Sequence, residues 1–356
     1  MALPQCQTQV VLAQRPTAEI VPGEHLVTST DVPVPHPAEL LPDQLLIHNL
    51  WISLDPAMRG WMNDRKSYIP PVKLGHVMRA SAVGEVIASR SAKYRPGQLV
   101  QGLFGLQEFT VVPAKYAAPC LVPPIFSEST ALGVFGITGL TAYFGLLEVG
   151  LPRKGETVVV SAAAGATGSV VAQIAKHVIG CRVVGIAGGA QKCDWLLKEL
   201  GLDAAVDHKA ADFGTGLKDA CPQGIDVYFD NVGGQVLDQV LRFINLKARV
   251  VICGAIAGYN DTNPQPGPSN YFSLLVNRGR MEGFIVFDYS HQYAKATRDL
   301  VRWVQEGKIK HREEVVDGVA AAPHALLKLF SGANTGKLVV RVGPRLTQPV
   351  PAPSKL

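Results

Sequence analysis

The sequence predicts an α/β protein: a parallel, doubly wound sheet domain inserted into a β-rich barrel domain. Three observations carry that expectation. Residues 156–161 are rich in β-branched residues, then give way to a run of small residues and a helical pattern from Ser169. Strands and helices then alternate to about residue 306, as a parallel sheet requires. On either side the apolar runs are short, alternating and broken by Pro and Gly, as in antiparallel sheet. At 356 residues the chain exceeds one compact core. We divide it into a barrel domain (1–132 and 309–343), an inserted sheet domain (133–308) and a Pro-rich tail, 344–356, expected to be disordered.

Taken in order, Pro16, Pro22, Pro33, Pro35, Pro37 and Pro42 exclude long helices from the first fifty residues. Residues 44–50, 83–87 and 97–100 have the alternation of barrel strands. Gly, Thr and aromatics in helical register around 132–147 mark the entry into the inserted domain. Its strands are expected at 156–161, 181–187, 204–207, 225–231, 248–254 and 283–288, with helices near 191–200, 235–244 and 271–277. A helix over 293–306 closes the domain. From Lys308 the pattern turns β-like again, and 337–341 is a clear strand.

The turn after the first inserted strand contains Ala163-x-Gly165-x-x-Gly168, a variant of the G-x-G-x-x-G fingerprint with alanine first. Gly165 allows close approach of a pyrophosphate, Gly168 allows helix and strand to pack closely, and the helix N-terminus offers N–H groups. Strand, small-residue turn and helix together indicate a dinucleotide site. An NAD site carries an acid at the end of the second strand. Here that strand runs into Gly188-Gly189-Ala190-Gln191-Lys192, with no acid and a lysine able to meet a 2′-phosphate. The reading is therefore NADP(H), although Lys192 could also be a solvated helix-start residue.

The formal charge of +5 suits an anionic cofactor, and no Lys/Arg run suggests nucleic acid. No apolar stretch is long enough to span a membrane, and no basic-then-apolar signal opens the sequence, so we expect a cytoplasmic protein. The six cysteines show neither zinc-binding spacing nor a disulfide framework. His76 follows Gly75, as in zinc alcohol dehydrogenases, but the next residue is Val77 rather than Glu and Cys partners are lacking, so no metal is expected.

Leu54-Asp55-Pro56-x-Met58-Arg59-Gly60, Ala163 to Gly168, Phe229-Asp230-Asn231-Val232-Gly233-Gly234, Cys253-Gly254-Ala255-Ile256, Tyr259-Asn260, Gly267-Pro268-Ser269-Asn270-Tyr271 and Arg280-Met281-Glu282-Gly283-Phe284 occur in order. With these motifs, up to about Val342, the chain resembles the zinc-independent medium-chain dehydrogenase/reductases, in the branch of prostaglandin, curcumin and 2-alkenal (double-bond) reductases. The resemblance implies a Rossmann domain inserted into a GroES-like domain, with NADPH and substrate in the cleft between them. It implies cofactor contacts from Ala164, Gly165, Ala166, Thr167, Gly168, Gly188, Lys192, His208, Asn231, Cys253, Gly254, Ala255, Ile256, Tyr259, Phe284, Ile285, Val286 and Asn334. Trp51, Met78, Arg79 and Tyr271 are candidates for the substrate pocket. His208 and Trp51 stand where the branch often has tyrosines.

Reduction of an enone builds negative charge on its carbonyl oxygen, and without a metal neutral donors must hold it. Tyr259 and a cofactor ribose hydroxyl are the candidates, with Tyr259 either catalytic or a cofactor clamp. Tyr271 is its rival, or a pocket-wall or core residue, and Arg79 is a pocket residue or a surface ion-pair partner. We expect NADPH-dependent reduction of the activated C=C bond of α,β-unsaturated ketones or aldehydes. The alternatives are an NADP-dependent allylic alcohol dehydrogenase, a quinone reductase, and a non-catalytic NADP(H)-binding sensor or adaptor. A homodimer is expected through the edge of the parallel sheet, at 283–288.

Overall fold

Val10 and Leu12 are buried at alternate positions, and Leu45 and Ile47 join one buried cluster while Leu46 between them joins another, the period-two pattern of side chains on opposite faces that folds the first part of the chain into sheet. The computed structural model describes residues 3–261 and 266–348. It divides into two units, one of Met1–Leu132, Glu314–Ala333 and Leu338–Leu356, the other of Gly133–Glu313 and Asn334–Lys337.

In the first unit β1 (Cys6–Leu12) pairs antiparallel with β2 (Leu26–Pro33). The larger sheet is built on β3 (Gln44–Ser53), which pairs with β4 (Ala82–Ser89); β5 (Leu99–Gly102) follows β4. The other side of β3 is shared: β6 (Phe109–Pro113) pairs with its first half, and a strand from the end of the chain pairs with Trp51 to Ser53. The short β7 (Ala118–Pro119) pairs with β5 and ends the sheet beyond β4. Arg59, from the Asp55-Pro56-x-Met58-Arg59 motif, is fully buried; its guanidinium donates to the carbonyls of Pro16 and Ala18 and to Asn63 Oδ1, fixing the loop before β2.

In the second unit β8 (Thr157–Val160), β9 (Arg182–Ala187), β10 (Ala204–Asp207), β11 (Ile225–Asp230), β12 (Ile244–Ile252) and β13 (Arg280–Gly283) form one parallel sheet. Their spatial order is β10-β9-β8-β11-β12-β13, which is the Rossmann order 3-2-1-4-5-6. Succession reverses between β8 and β11, so a crevice opens beyond their carboxyl ends. The chain then runs through helix Tyr293–Gln305, β14 (Glu313–Asp317), helix Ala322–Ser331 and β15 (Lys337–Arg341), which lies between β14 and β3.

Several expectations need correction. The last parallel strand is Arg280–Gly283 rather than 283–288; Phe284 leaves the ladder to pack edge-on against Phe229, and a 3₁₀ turn, Val286–Gln292, follows. The stretch after Lys308 is not wholly β-like, because ten residues form the helix Ala322–Ser331. The tail expected to be disordered from Pro344 is anchored over residues 344–348, while 349–356 lie outside the described residues. Its anchor is Glu85, a fully buried carboxylate on β4. Glu85 Oε1 accepts the Leu346 N–H and lies 3.4 Å from His48 Nδ1; Oε2 accepts the Thr347 hydroxyl and its N–H at 3.2 Å. Leu346 itself packs with Leu40, Leu46 and Phe109. Burial alone would raise the Glu85 carboxyl, but hydrogen bonds from His48, Thr347 and Leu346 prevail and hold it below the usual carboxylate range.

Candidate cofactor and active site

After β8 the chain turns through Ser161 to Gly165 into the helix Ala166–Gln173. Ala162 adopts a left-handed conformation with φ of 47°, strained for an alanine, and its carbonyl accepts the Gly165 N–H at 2.9 Å. A Cβ on Gly168 would stand 2.3 Å from that same carbonyl oxygen, so glycine alone lets the helix seat so close to the turn. Among the described residues no side chain caps this helix, which leaves its first-turn N–H groups to an anion. The returning segment braces the turn: Gly336 donates to Ala164 O at 2.8 Å, and buried Asn334 donates from Nδ2 to Gly336 O at 3.1 Å.

Beside it, β8 and β11 are tied at their carboxyl ends. Asn231 donates its N–H to Ser161 Oγ at 2.8 Å and its Nδ2 to Ser161 O at 2.7 Å. Ser161 Oγ donates in turn to Asp230 Oδ1 at 3.0 Å. The same oxygen accepts the Tyr228 hydroxyl at 2.8 Å and the N–H groups of Val232 and Gly233, each at 2.9 Å. Burial raises the Asp230 carboxyl against these four donors. Asp230 O also accepts N–H groups from Cys253 and Gly254, drawing the end of β12 alongside. Burial and the Asp230 charge push the Cys253 thiol up to about 12, which disfavours its thiolate.

Gly254 and Ala255 lead into a 3₁₀ turn, Ile256–Gly258, and then Tyr259. The Ala255 N–H donates to Tyr259 Oη at 3.3 Å, and that oxygen would lie 3.1 Å from a Cβ on Gly254, a tight contact that would push the hydroxyl aside. Phe284 packs over Gly145 and against Phe229, Ile285 is half-buried and Val286 is buried with its carbonyl accepting the Tyr293 hydroxyl at 3.0 Å.

At the ends of β9 and β10 a second cluster forms. A Cβ on Gly188 would lie 3.0 Å from His208 Nε2 and 3.1 Å from Lys209 Cε, so both side chains lean over that glycine. Partial burial holds the His208 imidazole below its usual range, with Lys209 and Lys192 adding to the effect and Asp207 opposing it. Asp207 Oδ1 accepts N–H groups from Gly189 and Lys209, each at 2.9 Å, and fixes both turns. Lys192 lies in the first turn of the helix Ala190–Lys198. The cations Lys192 and Lys209, with no acid on the glycine turn, suit a phosphorylated ribose.

Sequence reasoning missed Ser161, Asp207, Asp230, Lys209 and Gly336. The dipeptide Asp230-Asn231 at a strand end and the basic residues following β10 were the available signals. The substrate-pocket candidates scatter. Met78 has no exposed surface and packs in the core of the first unit, so it can shape a pocket only from behind. Arg79 stacks over Trp61 at 5.6 Å and donates to Pro70 O at 2.9 Å, which corrects its reading as a surface ion-pair partner: it is held by an aromatic ring and a carbonyl. Trp51 borders, with Glu128, Arg341 and Arg345, a cavity of about 490 Å³ within the first unit. Tyr271 is 65% exposed, so it is not a core residue. His76 is exposed, and among the described residues no three His, Cys, Asp or Glu side chains are grouped to hold a metal.

Residues 8–119 match a family described as the N-terminal domain of oxidoreductase, and 166–303 match one described as zinc-binding dehydrogenase. The NADPH-dependent curcumin reductase of Escherichia coli is 42% identical over 93% of this chain and 96% of its own. The chain belongs to the medium-chain dehydrogenase/reductases. Within them it falls in the zinc-independent, NADP-dependent branch that acts on C=C bonds. The 2-alkenal reductase of Nicotiana tabacum is 40% identical over 84% of this chain and 88% of its own, and bovine prostaglandin reductase 1 is 38% identical over 84% and 89%. The crystal structure of CurA from Vibrio vulnificus in complex with NADPH superposes with a TM-score of 0.88 at 41% identity, covering 95% of this chain and all of that one. Among the described residues no helix is long and apolar enough to cross a membrane.

Proposed function

We propose that this chain is an NADPH-dependent reductase of the activated C=C bond of α,β-unsaturated ketones or aldehydes, with the Tyr259 hydroxyl holding the enolate oxygen. The observation that carries the role of Tyr259 is the N–H of Ala255 donated to Oη at the carboxyl end of β12. A hydroxyl that accepts one hydrogen bond donates a better one, because bonds in a chain polarise each other. Bound NADPH supplies the hydride, which goes to the β-carbon. The residues of the chain hold and orient: the turn 164–168 takes the pyrophosphate, Lys192 and its neighbours the 2′-phosphate, Asn231 and Asn334 the interior of the cofactor. Tyr259 donates to the oxygen on which charge builds, and the α-carbon proton comes from water.

The test is NADPH consumption against enones, allylic alcohols and quinones, with the products identified. Saturated ketones or aldehydes support the reading. Oxidation of alcohols with NADP⁺, turnover of quinones alone, or cofactor binding without turnover would each replace it. For Tyr259→Phe we expect kcat to fall by about 10²–10³ if the phenol carries the oxyanion role, with NADPH affinity little changed. Unchanged kcat would leave Tyr259 a clamp.

The same reading includes a homodimer and a cytoplasmic location. β13 is an edge strand, and just before it in the chain Tyr271, Phe272, Leu275 and Val276, at the start of and along the helix Phe272–Asn277, are each more than half exposed. A second copy covering that edge would bury them. Leu275→Asp should shift the species seen by light scattering from dimer to monomer; a monomeric parent protein would end the idea. The six cysteines are all free, which suits a reducing compartment.

A further inference from the structure

Asp230 combines three features that a purely structural residue would not need. It is the last residue of β11, beside the reversal of strand order, where ligands settle in such sheets. It has no exposed surface, yet it is a carboxylic acid. Among the described residues its four side-chain hydrogen bonds all converge on Oδ1, while Oδ2 is buried with no hydrogen-bond partner. An asparagine could accept at the same oxygen without burying a charge, and a half-satisfied carboxylate is costly. The four donors nevertheless favour the ionised form. Ionised, the carboxylate sets a negative charge at the floor of the crevice, with one oxygen unpartnered among the described residues.

We propose that Asp230 is an electrostatic positioning residue, whose buried carboxylate favours the oxidised, cationic nicotinamide over the reduced, neutral one. This rests on the NADPH reading above. Hydride loss turns the uncharged ring into a cation, so a negative charge already in place stabilises the product side of the transfer without reorganising. Its second role, through Ser161 and the Val232 and Gly233 N–H groups, is to hold Asn231 in place.

The test measures dissociation constants for NADP⁺ and NADPH by calorimetry and fluorescence, in the parent protein, Asp230→Asn and Ser161→Ala. Asp230→Asn should raise the ratio Kd(NADP⁺)/Kd(NADPH) roughly three- to tenfold, because only the cation loses an attraction. Ser161→Ala removes a hydrogen bond but keeps the charge, so both affinities should weaken together and the ratio should hold. An unchanged ratio in Asp230→Asn overturns the proposal. If neither nucleotide binds the parent protein, the cofactor reading has failed instead. Should the variant not fold, the parent protein answers the same question, because the ratio should rise as pH falls through the Asp230 titration. The groups facing that carboxyl are the Tyr228 hydroxyl and the Cys253 thiol, both pushed upward and neutral there, and the 2′-phosphate titrates alike in both nucleotides. A ratio flat with pH would overturn the proposal as well.

Discussion

Glu85 in the first unit and Asp230 in the second are both carboxylates without exposed surface, and they are finished differently. Both oxygens of Glu85 are occupied, by His48, Leu346 and Thr347, and its carboxyl sits low. Asp230 crowds its donors onto one oxygen, its other oxygen has no partner among the described residues, and its carboxyl sits high. The first arrangement closes a seam between the tail and the sheet. The second keeps a charge under tension beside a ligand crevice. Burial alone therefore does not mark a functional acid; the proposal for Asp230 rests on burial together with an unpartnered oxygen at the carboxyl end of β11.

The largest effect should come from deleting the tail from Pro344 onward, which leaves Glu85 ionised and buried with His48 alone. We expect about 3–5 kcal/mol of lost stability in denaturant titrations. Glu85→Leu should cost less, since the freed donors of Leu346 and Thr347 can reach water; a greater loss there would reverse the assignment of acceptor and strap. Next in size is the response to pH. The folded pKa of Glu85 lies below its unfolded value, so its contribution is full above the unfolded pKa and is lost as pH falls through the folded one. The folded pKa of Asp230 lies above its unfolded value, so its ionisation costs stability at neutral pH and that cost is relieved as pH falls through the folded pKa. Melts across the acid range should show Glu85→Gln losing its destabilisation and Asp230→Asn losing its gain over the parent. Equal signs would erase the contrast. The smallest effects should be Tyr228→Phe and Thr347→Val, about 1 kcal/mol each by urea unfolding.

Local signals made much of the cofactor domain legible. The uncharged strand, the small-residue turn and the helix behind it are contiguous, and so are Gly188 to Lys192. Helix Ala322–Ser331 was also marked, by Pro323 in its first turn and left-handed Gly332 at its end, but the β-rich flanks hid it. Neither buried acid could be read from spacing. Ser161 meets Asp230 across 69 positions and Thr347 meets Glu85 across 262, and such contacts exist only once the sheets have formed. Lys209 escaped notice because it approaches Gly188 from the neighbouring strand, not from the helix that follows the glycines.

The placement of β15 between β14 and β3 has a consequence for synthesis. A chain leaving the ribosome can complete all six parallel strands before Val339 and Val340 emerge to lie against Ser53 and Ile52. Until then that stretch of β3 is an open, apolar strand edge able to recruit the wrong neighbour. The half made first must be finished last, and the exposed edge of β3 is the stretch that must wait.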